Sequence, residues 1–171
     1  MLRPSATIFI GALAVALAAC ANEVAPPEQP AFYRSMASPA AALDAGTAAS
    51  MISGYRQNNG LGAVEIDPAL MQLAQAQAQS MAARDKVDND AKGTFGRRMK
   101  AAGFDAKTAV ENISAGYHTL AEAFSGWRDS PPHRANMLKA GVTRMGIAAV
   151  YQPNSKYKVF WALIMAAPEA T

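Results

Sequence analysis

The sequence predicts an α+β domain in which helices cover a small antiparallel sheet. Separate segments between residues 43 and 138 carry apolar residues at three- and four-residue spacing, as amphipathic helices require. Two β runs then follow, 145–151 and 157–165, and the turn residues Gln-Pro-Asn-Ser between them predict a hairpin. A few strands beside three or four helices are typical of a sheet packed against helices.

The first two helices have recognisable ends. One is predicted over 43–58 and ends near Gly60, because glycine tolerates the left-handed conformation of a helix C-cap. The next begins with Asp67 as N-cap and Pro68 at the first helical position, and its apolar spacing continues to Met81.

The central stretch, 109–138, begins with a segment that is either strand or loop and then contains the best-marked helix. Thr119 and Glu122 form a capping box at its start, and its apolar stripe ends at Trp127. Two prolines stop it, because proline donates no N–H and restricts the residue before it. A second short helix is predicted to begin near Pro132.

The N-terminus is interpreted as an export signal, 1–19, followed by an acylated cysteine. Arg3 is its basic residue, and the apolar run at 6–19 is shorter than the about 20 residues that span a bilayer. The sequence Leu-Ala-Ala-Cys ending at Cys20 is typical of a bacterial lipobox. Cys20 is the only cysteine, which excludes an intramolecular disulfide. A lipid anchor in the cell envelope is therefore predicted, with the outer membrane, facing the periplasm or the cell surface, as the expected location.

The proline-rich segment 20–40 is predicted to be a flexible linker behind this anchor. Removing the signal takes away one of the 16 basic side chains and none of the 13 acidic ones. Nucleic-acid binding needs a concentrated basic face, so no nucleic-acid partner is expected. A third short helix, capped by Thr94, is predicted to turn Phe95 and Met99 inward, and Arg97 and Arg98 are interpreted as its solvent-exposed side.

Several motifs of the chain, in this order and spacing, resemble the CAP superfamily (cysteine-rich secretory, antigen 5 and pathogenesis-related 1 proteins) in its short bacterial form. The resemblance implies a three-layer α/β/α sandwich, assigned to 41–167. The matching positions are 111–113, Gly116, Trp127, 130–138, 145–148 and 160–162.

In CAP domains that bind a divalent metal, the resemblance implies a cleft lined by two histidines and two acidic residues. Glu111 and His133 match one of each, whereas Asn89 and Ser130 stand at the other two positions. An amide and a hydroxyl are poor zinc ligands, so we expect no metal and no cofactor, with His133 and Glu111 as weak metal candidates. Substituting histidine at Asn89 is expected to restore a zinc site.

Glu111 and His133 also permit a second interpretation, a hydrolase. A histidine beside a carboxylate can act as a general base, so a metal-assisted or His/Glu-dependent protease-like activity is the alternative function. The chain has no Gly-x-Ser-x-Gly elbow that would mark an activated serine. A binding or interaction module is therefore preferred over an enzyme.

The expected ligand is a lipid or another small amphipathic molecule, because the resemblance includes proteins that bind sterols or fatty acids. An envelope protein or a cell-wall polymer is the other possible partner, beside the membrane itself. A dry concave pocket next to His133 would favour the small ligand. Trp127 and Trp161 are assigned to the core, and Tyr117 and His118 to an exposed loop after Gly116. The predicted ligand cleft consists of Asn89, Glu111, Tyr117, His118, Ser130 and His133.

Overall fold

The computed structural model of the chain describes residues 28–89 and 93–169. The export signal and Cys20 lie outside these residues. The helices are α1 (Ala45–Gln57), α2 (Pro68–Arg84), α3 (Phe95–Ala101), α4 (Leu120–Asp129) and α5 (Pro131–Met137), and a 3-10 turn spans Ala31–Tyr33. The strands are β1 (Glu65–Ile66), β2 (Ala106–Ala115), β3 (Arg144–Tyr151) and β4 (Val159–Pro168).

The four strands form one sheet in the order β1-β3-β4-β2. β3 and β4 are antiparallel, which confirms the predicted hairpin, and β2 pairs antiparallel with the other side of β4. The two-residue strand β1 pairs parallel with β3. β4 is the best-buried strand: every residue from Val159 to Ala167 is buried. β2, where the sequence left strand and loop open, is an edge strand of ten residues.

Helices cover both faces of this sheet, which confirms the three-layer sandwich. α1, α4 and α5 pack on one face, where the buried rings of Trp127 and Trp161 meet edge to face at 6.5 Å between centroids. α2 and α3 pack on the other face, with Leu70, Met81 and Met99 in its core. The alternation of side chains along β4 sends 159, 161, 163 and 165 to the first core and the residues between them to the second.

The starts of α2 and α4 follow the sequence signals, whereas Thr94, predicted to cap α3, makes no side-chain capping hydrogen bond. Asp67 accepts hydrogen bonds from the N–H groups of Ala69 and Leu70, with Pro68 at the first position of α2. Thr119 and Glu122 form the reciprocal capping box of α4. No helix among residues 28–89 and 93–169 is long and apolar enough to cross a bilayer.

The described part of the predicted linker, 28–40, packs against the domain. Met36 is buried in the core under α1 and α4, and its N–H donates to the carbonyl of His118 at 2.6 Å. Phe32 is partly buried against the same core. The packed domain therefore begins on the N-terminal side of residue 41, because apolar side chains within the proline-rich segment find a core to cover.

Candidate functional site

Two side-chain amides, the buried Asn112 and the half-buried Asn136, join β2 to α5. The side-chain amide of Asn112 donates to the carbonyl of His133 at 2.9 Å, and its oxygen accepts from the amide of Asn136 at 2.9 Å. Asn136 also donates to the backbone carbonyl of Glu111 at 3.0 Å. Both amides thereby satisfy backbone and side-chain groups at the sheet edge, which ties the segment around 111 to the segment around 133.

Ser130 joins α4 to α5 and sets the position of His133. It is the C-cap of α4 and the N-cap of α5, with prolines at the first two positions of the new helix. His133 is half-buried, and this burial lowers the pKa of its imidazole below the ordinary value. The imidazole is therefore neutral at neutral pH, a state in which it can accept a proton or a hydrogen bond.

Glu111 points to the opposite face of the sheet from Asn112. It pairs with Ile164 on β4, and Ile164 belongs to the core under α2 and α3. There the guanidinium of Arg98 holds its carboxylate through two hydrogen bonds, Nη1 to Oε1 at 3.1 Å and Nη2 to Oε2 at 2.8 Å. The side chains of this pair are only 8% and 4% exposed.

The same arginine also binds Asn89. Its backbone carbonyl accepts from Arg98 Nη2 at 3.0 Å, while the residue itself is exposed in the loop after α2. Arg98 thus brings Asn89 and Glu111 together on the α3 side, whereas His133 lies on α5, which covers the other face. The backbone carbonyl of Glu111 accepts a hydrogen bond from Asn136 of α5, whereas the carboxylate of Glu111 is directed at Arg98.

Tyr117, His118 and Ser130 come together on one open groove beside α4, of about 790 Å³. This α4 groove is lined by Gly116, Tyr117, His118, Glu122, Ser125, Gly126, Asp129 and Ser130. The phenol of Tyr117 lies directly on Gly126. The backbone carbonyl of Tyr117 accepts a hydrogen bond from the indole N–H of the buried Trp161 at 2.8 Å. The other lining side chains carry hydroxyl, imidazole or carboxylate groups.

An arginine and backbone N–H groups donate hydrogen bonds to the two carboxylates of the groove and lower their pKa values. Arg128 donates to Asp129 at 2.9 Å and thereby holds the pKa of Asp129 below its ordinary value. The N–H of His118 donates to Glu122 at 2.7 Å and lowers the pKa of that carboxyl, with a smaller contribution from the N–H of Thr119. Both carboxylates are therefore negatively charged at neutral pH.

The metal set that the CAP resemblance implies does not fit the residues present. Both oxygens of Glu111 accept hydrogen bonds from Arg98, and a cation already faces the carboxylate a metal would need. Ser130 lines the α4 groove and stands at the N-cap position of α5, where its side chain makes no capping hydrogen bond. Among residues 28–89 and 93–169 no three His, Cys, Asp or Glu side chains are placed to share a metal ion.

Arg98 is the site residue that sequence reasoning placed wrongly. We interpreted it as solvent-exposed, yet it is buried, because Glu111 and two backbone carbonyls accept its hydrogen bonds inside the fold. The helical spacing could have indicated this burial. Arg98 follows Phe95 by three residues and directly precedes Met99, and Phe95 and Met99 were both predicted to face inward. Arg97, its neighbour, is exposed as predicted.

The layers, the strand order and the motifs on β2 and α5 define a three-layer sandwich domain. The chain belongs to the CAP family, the cysteine-rich secretory protein family, which matches residues 49–165. It is similar to YkwD, an uncharacterized protein of Bacillus subtilis (strain 168), with 36% identity over 98 residues. That match covers 56% of this chain and 38% of YkwD, so the chain spans well under half the length of this relative.

Solved structures share the fold. An extracellular protein containing an SCP domain from Bacillus anthracis str. Ames is 22% identical with a TM-score of 0.63, covering 71% of this chain and 39% of that protein. An outer surface protein from Borrelia burgdorferi is 17% identical with a TM-score of 0.66, covering 73% of this chain and 92% of that protein. At these identities the likeness establishes the sandwich architecture.

Proposed function

We propose that the chain is an envelope-attached binding module that holds a polar cell-wall polymer in the α4 groove. The observation that carries this proposal is the groove itself: it is open, and six of its eight lining residues present a hydroxyl, an imidazole or a carboxylate. An open groove with an aromatic ring and hydrogen-bonding side chains suits an extended, hydroxyl-bearing ligand better than a small apolar one.

The ion pair between Arg98 and Glu111 supports a binding role over hydrolysis. A general base needs its orienting carboxylate within about 3 Å of the imidazole. Here the carboxylate of Glu111 is directed at Arg98 on the α3 side, while His133 belongs to α5. In this arrangement His133 is a half-buried neutral imidazole whose helix is fixed to β2 by Asn112.

A lipid-like ligand remains the second candidate, and a different cavity favours it. A groove of about 260 Å³ between α2 and α3 is almost entirely apolar. It is lined by Leu73, Ala76, Gln77, Arg98, Ala101 and Ala102. It lies on the opposite face of the sheet from the core that α5 covers, and His133 is not among its lining residues.

The envelope location rests on the sequence of the N-terminus and on the relatives. Cys20 follows a signal-like apolar run, and two proteins with this fold are described as an extracellular protein and an outer surface protein. Acyl chains on Cys20 would anchor the domain, since each buried methylene contributes about 0.8 kcal/mol. Cys20→Ser should therefore leave unprocessed precursor or release the chain from the membrane fraction. A mutant that stays in that fraction with the processed mass would contradict the anchor.

Binding to the wall polymer is tested by sedimentation of the full chain with purified peptidoglycan. We expect the wild type to sediment with it, and Asp129→Asn or Tyr117→Ser to weaken binding by up to about tenfold, as loss of one hydrogen bond does. Asp105→Asn is the matched control, an exposed aspartate beside α3 that should bind normally.

Two results would overturn this assignment. One is a full chain that stays in the supernatant, and the other is equal binding by Asp129→Asn and Asp105→Asn. If the chain instead retains a fluorescent fatty acid that Leu73→Trp displaces, the groove between α2 and α3 is the binding site and the ligand is lipid-like.

A further inference from the structure

We infer that the guanidinium of Arg98 takes the place of a metal ion at Glu111, so that this half of the CAP site is a permanent internal ion pair. This inference concerns the α3 side of the sheet and does not depend on what the α4 groove binds. It starts from the disagreement between the family's metal set and the residues of this chain.

Arg98 has an acceptor for each of its three nitrogens. Nη1 and Nη2 donate to the two oxygens of Glu111, Nη2 also donates to the carbonyl of Asn89, and Nε donates to the carbonyl of Gly93 at 3.3 Å. The guanidinium carbon lies 5.4 Å from the centre of the Phe95 ring. A planar fork that meets a carboxylate with two parallel hydrogen bonds is the geometry that arginine provides and lysine does not.

These acceptors are the groups that would otherwise surround a cation. A carboxylate and two backbone carbonyls are oxygen ligands of the kind that bind a cation. The positive charge of Arg98 neutralises the carboxylate inside a nearly solvent-free site. A metal ion at the same carboxylate would have to displace the guanidinium, and the freed arginine would then be buried without its partner. The ion pair therefore excludes metal from Glu111 even when a histidine is supplied nearby.

The pair also has a mechanical role. Asn89 belongs to the loop after α2, Gly93 precedes α3, and Glu111 lies on β2. One side chain thus binds Asn89 and Gly93 to Glu111 at the sheet edge.

A double-mutant cycle tests the ion pair. Arg98→Gln and Glu111→Gln should each lower the melting temperature by about 10 °C, because each leaves one buried charge unpaired. The double variant should melt within a few degrees of either single variant, since the second change removes the charge that the first left unpaired. Arg97→Gln, the exposed neighbour on α3, is the control and should melt like the wild type. Equal effects of Arg98→Gln and Arg97→Gln, or additive effects in the double variant, would overturn the inference.

A zinc measurement keeps the inference testable if Arg98→Gln fails to fold. The wild type and Asn89→His are incubated with excess zinc, desalted and analysed for bound metal. Both should carry far less than one zinc per chain, which is the opposite of what the family resemblance alone predicts for histidine at 89. One zinc per chain in either protein, or a melting temperature that rises with added zinc, would show that the guanidinium does not exclude metal from Glu111.

Discussion

Leu70 in the first turn of α2 lies directly against Gly146 of β3. A Cβ placed on Gly146 would stand 2.1 Å from the carbonyl carbon of Leu70 and 2.2 Å from its oxygen. Contacts of this kind bring a helix onto a sheet more closely than any side chain would permit. The seating of α2 on the sheet, and with it the α2–α3 layer, depends on this glycine.

Gly146→Ala should therefore be severely destabilising, by about 3 kcal/mol or more, since the clash involves backbone atoms that can move only if α2 lifts off the sheet. Gly54→Ala in α1 is the matched control. A Cβ there meets nothing within 4 Å, so replacing a helical glycine should raise stability by about 0.5–1 kcal/mol. Urea unfolding of both variants measures the difference. Similar midpoints for the two would mean that α2 is not seated on Gly146.

Gly126 in α4 supports the ring of Tyr117 in the α4 groove. A Cβ at Gly126 would lie 2.1 Å from the phenol oxygen of Tyr117, which is the far end of a side chain that can move. Gly126→Ala should cost about 1–2 kcal/mol and displace the ring. In a Tyr117→Ser background the same change should instead stabilise by about 0.5–1 kcal/mol, because only the helix preference of alanine remains. Thermal unfolding of the four proteins shows whether the sign reverses.

Arg56 is a cation buried to 1% exposure in α1. Its guanidinium donates to the carbonyls of Gly62, Met137, Lys139 and Val142 at 2.9–3.2 Å, which joins α1 to the end of α5 and the loop before β3.

Arg56→Met should cost about 3 kcal/mol or more, because it leaves those carbonyls without a donor. Arg56→Lys should also destabilise the fold, since a single lysine ammonium cannot donate hydrogen bonds to all four carbonyls. Arg34→Met, at an exposed arginine paired with Glu28, should be nearly neutral. Urea midpoints decide this, and an Arg56→Met midpoint close to that of Arg34→Met would contradict the role of Arg56.

Glu122 predicts a pH dependence of stability. The N–H of His118, and to a lesser degree that of Thr119, lowers the pKa of this carboxyl below its ordinary value. A carboxyl with a lower pKa in the folded state stabilises the fold above its unfolded pKa of about 4.5, and this contribution disappears as pH falls through the folded pKa. The melting temperature of Glu122→Gln should therefore lie below that of the wild type at pH 7 and approach it near about pH 3. Glu169→Gln serves as the control, and a difference that persists at low pH would argue against this origin.

The helices were predictable because their signals are local. Asp67 with Pro68, and Thr119 with Glu122, mark their helix starts within four residues of sequence. β1 was missed, since its two residues are held by pairing with β3 and carry no periodicity of their own. β2 was left open between strand and loop, because its mixed residues alternate only in the context of β4 and α5.

The candidate site was less predictable than the fold. Tyr117, His118 and Ser130 do share a groove, whereas the carboxylate of Glu111, which was expected beside His133, is held by Arg98. That outcome depends on Arg98, whose partners come from three separate segments. A charged residue in a sequence is reasonably assigned to solvent until the buried acceptors that can satisfy it are known.

Native mass spectrometry of the full chain, extracted from membranes in mild detergent, tests most directly whether this CAP domain is a metal-free binding module. The result we predict is a single mass for the chain from Cys20 with its acyl groups and no metal adduct, unchanged after incubation with zinc or with a chelator. A retained metal ion in most molecules, lost together with folded charge states on chelation, would contradict it and return metal-assisted hydrolysis to first place.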